Sequence, residues 1–159
     1  MIRQFQFEAE VYESLSCVPM QARRKLDAIG MKIHLAQWQQ LSRGERLMIC
    51  HAPATIDDER DALRIFVQEV TLARTGTPPK ELPEQARRGA RPPASPPPAL
   101  VANARERGVE LTQAAWNSLD DDERYALVKL GADGKVSHNL KAALDEFLAL
   151  HAPAARANA

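Results

Sequence analysis

Net charge is missing from this 159-residue chain, in which 21 lysines and arginines balance 21 aspartates and glutamates. No field of one sign pulls the whole molecule toward nucleic acid or an anionic membrane, so either kind of binding would have to be local. Long apolar runs are missing too. The longest compact one is Leu47–Cys50, against the roughly 18 residues that a membrane span needs, and no membrane association is expected. The stretch Met1–Glu8 has no basic segment followed by an apolar block, which leads us to expect no secretory signal and a cytoplasmic protein. Cysteine is scarce: Cys17 and Cys50 form neither a Cys-x-x-Cys pair nor a zinc spacing, and a disulfide between them would be unusual in the cytoplasm. Aromatic residues make up only 5%, so each of the two tryptophans is expected to anchor a large share of a local core. There is no glycine-rich phosphate loop, Gly-x-Ser-x-Gly, His-Glu-x-x-His or calcium loop. The expectation is a protein that is not an enzyme and carries no cofactor or metal of its own.

What is present is a hydrophobic fraction of 45%, sufficient for a compact core at this length. Eight of the eleven prolines fall between Pro78 and Pro98, in a stretch that resists helix and favours extended, polyproline-like backbone. This divides the chain into a first helical unit at 1–76, a proline-rich linker at 77–98, a second helical unit at 99–152 and a flexible tail at 153–159. Residues 1–76 hold 10 basic and 10 acidic groups and residues 99–159 hold 7 and 9, so neither half is a basic module.

Sliding the chain on itself by 78 residues aligns Gly30–Ala52 with Gly108–Leu130 without a gap. Gly30, Ala36, Trp38, Leu41, Glu45 and Arg46 fall on Gly108, Ala114, Trp116, Leu119, Glu123 and Arg124. Met31, Ile33, Met48 and Ile49 recur as Val109, Leu111, Ala126 and Leu127, a packing pattern that reads as an internal duplication.

Each unit reads as helices throughout, and the fold class is all-α. Pro19 at a first helical position is followed by Ala22, Leu26 and Ile29 at helical spacing, with Gly30 supplying the left-handed stop. Ser42 with Glu45, and Asp120 with Glu123, read as capping boxes, and Thr112 reads as an N-cap. The helices they open are expected to run to about Ala52, stopped by Pro53, and to about Leu130, stopped by Gly131 and Gly134. Further helices carry Leu63, Phe66, Val67 and Val70, and Leu140, Ala143, Leu144 and Phe147. No stretch alternates long enough to demand a strand, although Phe5–Phe7 reads as a short extended segment.

The residues resemble a known family, the nitrate reductase-associated proteins, from about Phe5 to Leu150. The resemblance is carried by Phe5, Phe7 and Glu8, then Ser14, Leu15, Cys17, Val18, Pro19 and Met20, then Arg23, Lys25, Leu26, Asp27, Gly30 and Lys32. Trp38, Glu45 and Arg46 follow, and in the second half Gly108, Val109, Leu111, Thr112, Trp116, Arg124, Ala126, Leu127, Lys129, Leu130, Ala143, Leu144, Glu146 and Phe147. Two positions depart from the pattern: Arg24 stands where an aromatic is expected and Ala54 where a cysteine is expected. The resemblance implies an accessory protein that serves nitrate reductase in its synthesis, maturation or assembly, with the reductase's catalytic protein as partner and no catalysis of its own.

Helix packing uses Ala22, Leu26 and Ile29, whereas Cys17, Pro19, Met20, Arg23 and Lys25 need another reason, although Pro19 also reads as only a helix start and Met20 as only core. These five are therefore the candidate partner-binding residues, with Arg23 and Lys25 expected on the helix face opposite the core. An alternative is a metal or cofactor carrier using Cys17 as thiolate ligand, which requires exposure and a second ligand nearby. A second alternative is a helix-turn-helix-like nucleic-acid binder. Against it, the helix opening at Asp120 leads with four carboxylates toward phosphate, and nucleic acid is not an expected partner.

Overall fold

The computed structural model describes residues 2–152; the tail expected at 153–159 lies outside the described residues. The chain divides into two units after Arg91. In the first, an extended Phe5 leads into a single 3-10 turn at Gln6–Glu8, followed by α1 (Ala9–Ser14), α2 (Met20–Ala28), α3 (Leu35–Gln40), α4 (Arg43–His51), α5 (Asp57–Thr75) and α6 (Glu84–Arg88). In the second come α7 (Pro98–Glu106), α8 (Gln113–Ser118), α9 (Asp121–Gly131) and α10 (Leu140–Leu150). Among the described residues the fold is all-α apart from one two-stranded ladder, in which β1 (Met31–Lys32) pairs antiparallel with β2 (Lys80–Glu81), Met31 opposite Glu81. Alternation could not announce strands of two residues; what makes them is the left-handed turn at Gly30 (φ +74°), which throws the chain out of α2 into extended backbone.

Several local expectations shift by a residue or change their reason. Pro19 is the N-cap of α2 and not its first residue. Helix α9 runs through Gly131. A side chain at Gly131 would meet Leu100 Cδ1 at 2.6 Å and Leu140 Cδ2 at 2.9 Å, so this glycine lets α7 and α10 close on α9 and is a packing residue, not a stop. The Phe5–Phe7 segment is extended only at Phe5. The proline-rich stretch 77–98 is not a bare connector: it contains β2, α6 and the first residue of α7. Its first part packs on unit one, where the Leu82 N–H donates to the Gly30 carbonyl at 2.9 Å and Arg64 bridges Glu81 at 2.6 Å.

The two tryptophans are fully buried, and the same brackets hold each. Trp38 Nε1 donates to the Leu15 carbonyl at 2.7 Å, and Trp116 Nε1 to the Pro93 carbonyl at 3.0 Å. Arg46 then donates from Nε to the Trp38 carbonyl (3.0 Å) and from Nη2 to Gln39 (2.6 Å); Arg124 donates to Trp116 (3.0 Å) and Asn117 (3.2 Å). Both capping boxes form, Ser42 with Glu45 and Asp120 with Glu123, and Thr112 caps α8 by accepting from the Ala115 N–H. The first core gathers Leu15, Leu26, Met31, Trp38, Ile49 and Val67. The second buries Leu100, Trp116, Tyr125, Leu127, Leu144 and Phe147. Burial of this kind contributes about 1.5–3 kcal/mol per large apolar side chain.

Candidate functional site

The segment Cys17–Lys25 is built from both of its ends. A helix needs acceptors for its first N–H groups, and the Pro19 N-cap has no side chain able to accept one. Glu8, 7% exposed, takes that role from eleven positions upstream: both its carboxylate oxygens lie 3.2 Å from the Met20 nitrogen. An anion there also meets the positive end of the helix dipole. The Tyr12 hydroxyl lies 2.8 Å from Glu8 Oε1 and 2.8 Å from the Arg3 carbonyl, so its one proton serves either acceptor. Burial, and then the neighbouring Glu8 charge, hold this phenol far above its ordinary value.

The other end of the segment closes α4. Lys25 Nζ donates to the Cys50 carbonyl at 2.5 Å and to the Ala52 carbonyl at 2.7 Å, two of the acceptors that a helix C-terminus leaves open. Burial lowers the Lys25 pKa from its usual 10.5. The Cys50 thiol is pushed up to about 11, chiefly by burial, with the Lys25 charge opposing and the Glu8 charge adding. At neutral pH Cys50 is therefore a protonated core thiol and not a nucleophile or a ligand.

Among the five candidates, this geometry separates Arg23 from Lys25. Arg23 is exposed, while the Lys25 ammonium points inward to the end of α4. Pro19 is buried, Met20 half-buried and Cys17 exposed. Among the described residues no three His, Cys, Asp or Glu side chains come together as a metal set. What the structure adds is a polar brace of Glu8, Tyr12 and Lys25, which caps the start of α2 and ties α2 to the end of α4, and a further brace at Arg46, whose Nη1 also reaches the Leu15 carbonyl at 3.1 Å.

The decisive comparison covers most of the chain. The family model described as conserved nitrate reductase-associated protein matches residues 4–147. The chain belongs to this family. No curated protein and no solved structure matches it. Among the described residues, no helix is long and apolar enough to cross a membrane.

For this nitrate reductase-associated protein the two departures also find their places. Arg24 Nε donates to the Ala90 carbonyl at 2.8 Å, tying α2 to the backbone just after α6. Ala54 is partly buried against the first core. Glu8, Tyr12 and Arg46 are the residues whose roles sequence reasoning missed. For Glu8 a signal existed: a proline N-cap supplies no acceptor, so a carboxylate elsewhere had to be found for the first turn of α2.

Proposed function

We propose that this protein is a non-enzymatic accessory factor for assimilatory nitrate reductase, acting in the cytoplasm by protein–protein interaction during the reductase's synthesis, maturation or assembly. The observation that carries this reading is the family match over residues 4–147, which spans both units. The chemistry of the brace points the same way. Its glutamate and lysine serve helix ends, and burial holds its tyrosine and the neighbouring Cys50 thiol protonated, so none of these groups is poised to react. Cys17, Pro19, Met20, Arg23 and Lys25 remain the proposed recognition segment. Cys17 and Arg23 would meet the partner, and Lys25 would position them through α4.

We also infer that the two units arose by duplication. In support, α2 and α7, and likewise α3 and α8, start and end 78 residues apart, and the carbonyls of Leu15 and Pro93 that receive the two indoles stand at the same offset.

The functional test is deletion of the encoding gene together with affinity purification of a tagged protein. Loss of nitrate reductase activity and recovery of the reductase with the tag are expected. Growth on nitrate at the wild-type rate after deletion would overturn the reading.

A further inference from the structure

Helix α5 carries its charges on separate sides. Its three arginines are all engaged within the unit: Arg60 with Asp57 and the Thr55 carbonyl, Arg64 with Glu81 and the Ile29 carbonyl, Arg74 with Glu45. Asp58, Asp61 and Glu69 instead face solvent. At 100° per residue these acids share an outward arc of about 80° with Ile65 and Leu72, which are 55% and 51% exposed. Beside this arc, between α5 and the end of α4, lies a cavity of about 430 Å³ floored by Met48, Ala52, Pro53, Leu63 and Phe66 and edged by Asp58. Met48 is 57% exposed above it. A hollow of this size falls within the range of binding pockets, and exposed apolar surface with a polar rim marks an interaction site.

We propose that this groove receives an amphipathic segment of a partner protein, with one large apolar anchor seated against Met48 and Phe66 and lysines or arginines placed opposite Asp58, Asp61 and Glu69. The uncompensated carboxylates select the occupant. A nucleic acid or an anionic bilayer would be repelled, while a basic helix gains both apolar burial and charge complementarity. The inference deepens the accessory-factor reading and rests on it in taking a protein as occupant.

The test uses the full chain and two 16-residue probe peptides, identical amphipathic leucine-containing helices with lysine on the polar face in one and glutamate in the other. Fluorescence anisotropy should show the lysine peptide binding at least about tenfold more tightly than the glutamate peptide. Asp58→Lys with Asp61→Lys should abolish the preference, and Ala62→Trp, which fills the hollow from an exposed position, should weaken both. Circular dichroism verifies that each variant folds. Equal binding of the two peptides, or binding that neither variant alters, overturns the groove. Purified reductase then separates the two readings. If it associates with the wild-type chain and equally with Ala62→Trp, the groove fails as its docking place and the accessory function stands. If it does not associate at all while the lysine peptide binds as described, the function fails and the groove stands. Sedimentation that shows a dimer dispersed by Ala62→Trp would make a second copy the occupant and overturn the proposal.

Discussion

The two units use the same brackets and present different surfaces. In each, an indole N–H reaches a carbonyl in the chain preceding the first long helix, an arginine clasps the tryptophan's own carbonyl, and a glutamate caps the next helix. Each capping glutamate also holds a basic side chain near the end of the unit's last long helix, Arg74 for Glu45 at 2.9 Å and His151 for Glu123 at 2.9 Å. Lys25 and Asn103, again 78 residues apart, each donate to carbonyls at the end of the following long helix, Asn103 reaching Gly131 at 2.8 Å. The outer faces share nothing comparable. Among the described residues, unit one exposes Leu35, Leu47, Met48, Ile56, Ile65 and Leu72, whereas unit two exposes Leu150 alone among large apolar side chains. A common scaffold thus leaves one unit closed and the other with apolar surface to offer, and a working face is to be sought on the first.

The sharpest way to break the comparison is at the tryptophans. Trp38→Ala and Trp116→Ala should each cost about 3–5 kcal/mol in urea titrations, a large part of a typical stability of 5–15 kcal/mol. If one replacement proves nearly neutral, the two brackets are not equivalent in energy. Gly131→Ala should come next, at about 1–3 kcal/mol from overpacking against Leu100 and Leu140. Its counterpart position holds Pro53, exposed, where Pro53→Ala should be mild. Lys25→Met removes the donor from two helix-end carbonyls and should cost about 1–2 kcal/mol. Lys25→Asn, which borrows the side chain of its counterpart, should lose less if the shorter amide still reaches.

The core thiol sharpens the comparison through pH. Cys50 is matched by Val128, so Cys50→Val should be tolerated with a loss below about 1.5 kcal/mol at neutral pH. In the wild type the folded thiol holds its proton up to about 11 against an ordinary 9.0. The stability this contributes is complete below pH 9 and is lost as pH rises through about 11. Lys25, with its pKa lowered, acts in the opposite sense, so the informative quantity is the difference between wild type and Cys50→Val measured by thermal melts from pH 8 to 11. That difference should shrink steadily as pH rises. A flat difference would mean that the thiol is not desolvated as its burial implies.

The parts of this fold legible in the sequence were those written in local chemistry. The capping boxes at Ser42 and Asp120, the stop at Gly30 and the apolar stripes of α5 and α10 rest on neighbours within a turn or two, and period and side-chain type reveal them. The 78-residue alignment marks Trp38, Arg46, Trp116 and Arg124 without disclosing what they hold, because a carbonyl 23 residues upstream has no sequence signature. Gly131 shows a similar limit: a glycine that ends a helix and one that admits two leucines look alike until α7 and α10 are placed against α9. In the candidate segment, Arg23 and Lys25 are two residues apart, and their like charge suggests one polar face. Residues two apart on a helix point about 200° from each other, so the shared face expected of them does not form.

Arg23 supplies the prediction with the smallest effect on stability. It is exposed on the first turns of α2, while its match in unit two is Val101, half-buried on α7; the charge belongs to the outer face of unit one alone. Arg23→Ala should therefore change stability by about 0.5 kcal/mol or less, far below the loss expected for Lys25→Met. The two replacements then separate recognition from positioning. If the Cys17–Lys25 segment meets the reductase, Arg23→Ala weakens association while melting with the wild type, because removing a charge at the edge of an interface alters encounter and salt dependence without touching the core. Lys25→Met, in contrast, weakens association only to the extent that it loosens the end of α4, so its defect should recover at lower temperature. Full association with Arg23→Ala, combined with loss on Asp58→Lys and Asp61→Lys, would move the working face of unit one from α2 to α5.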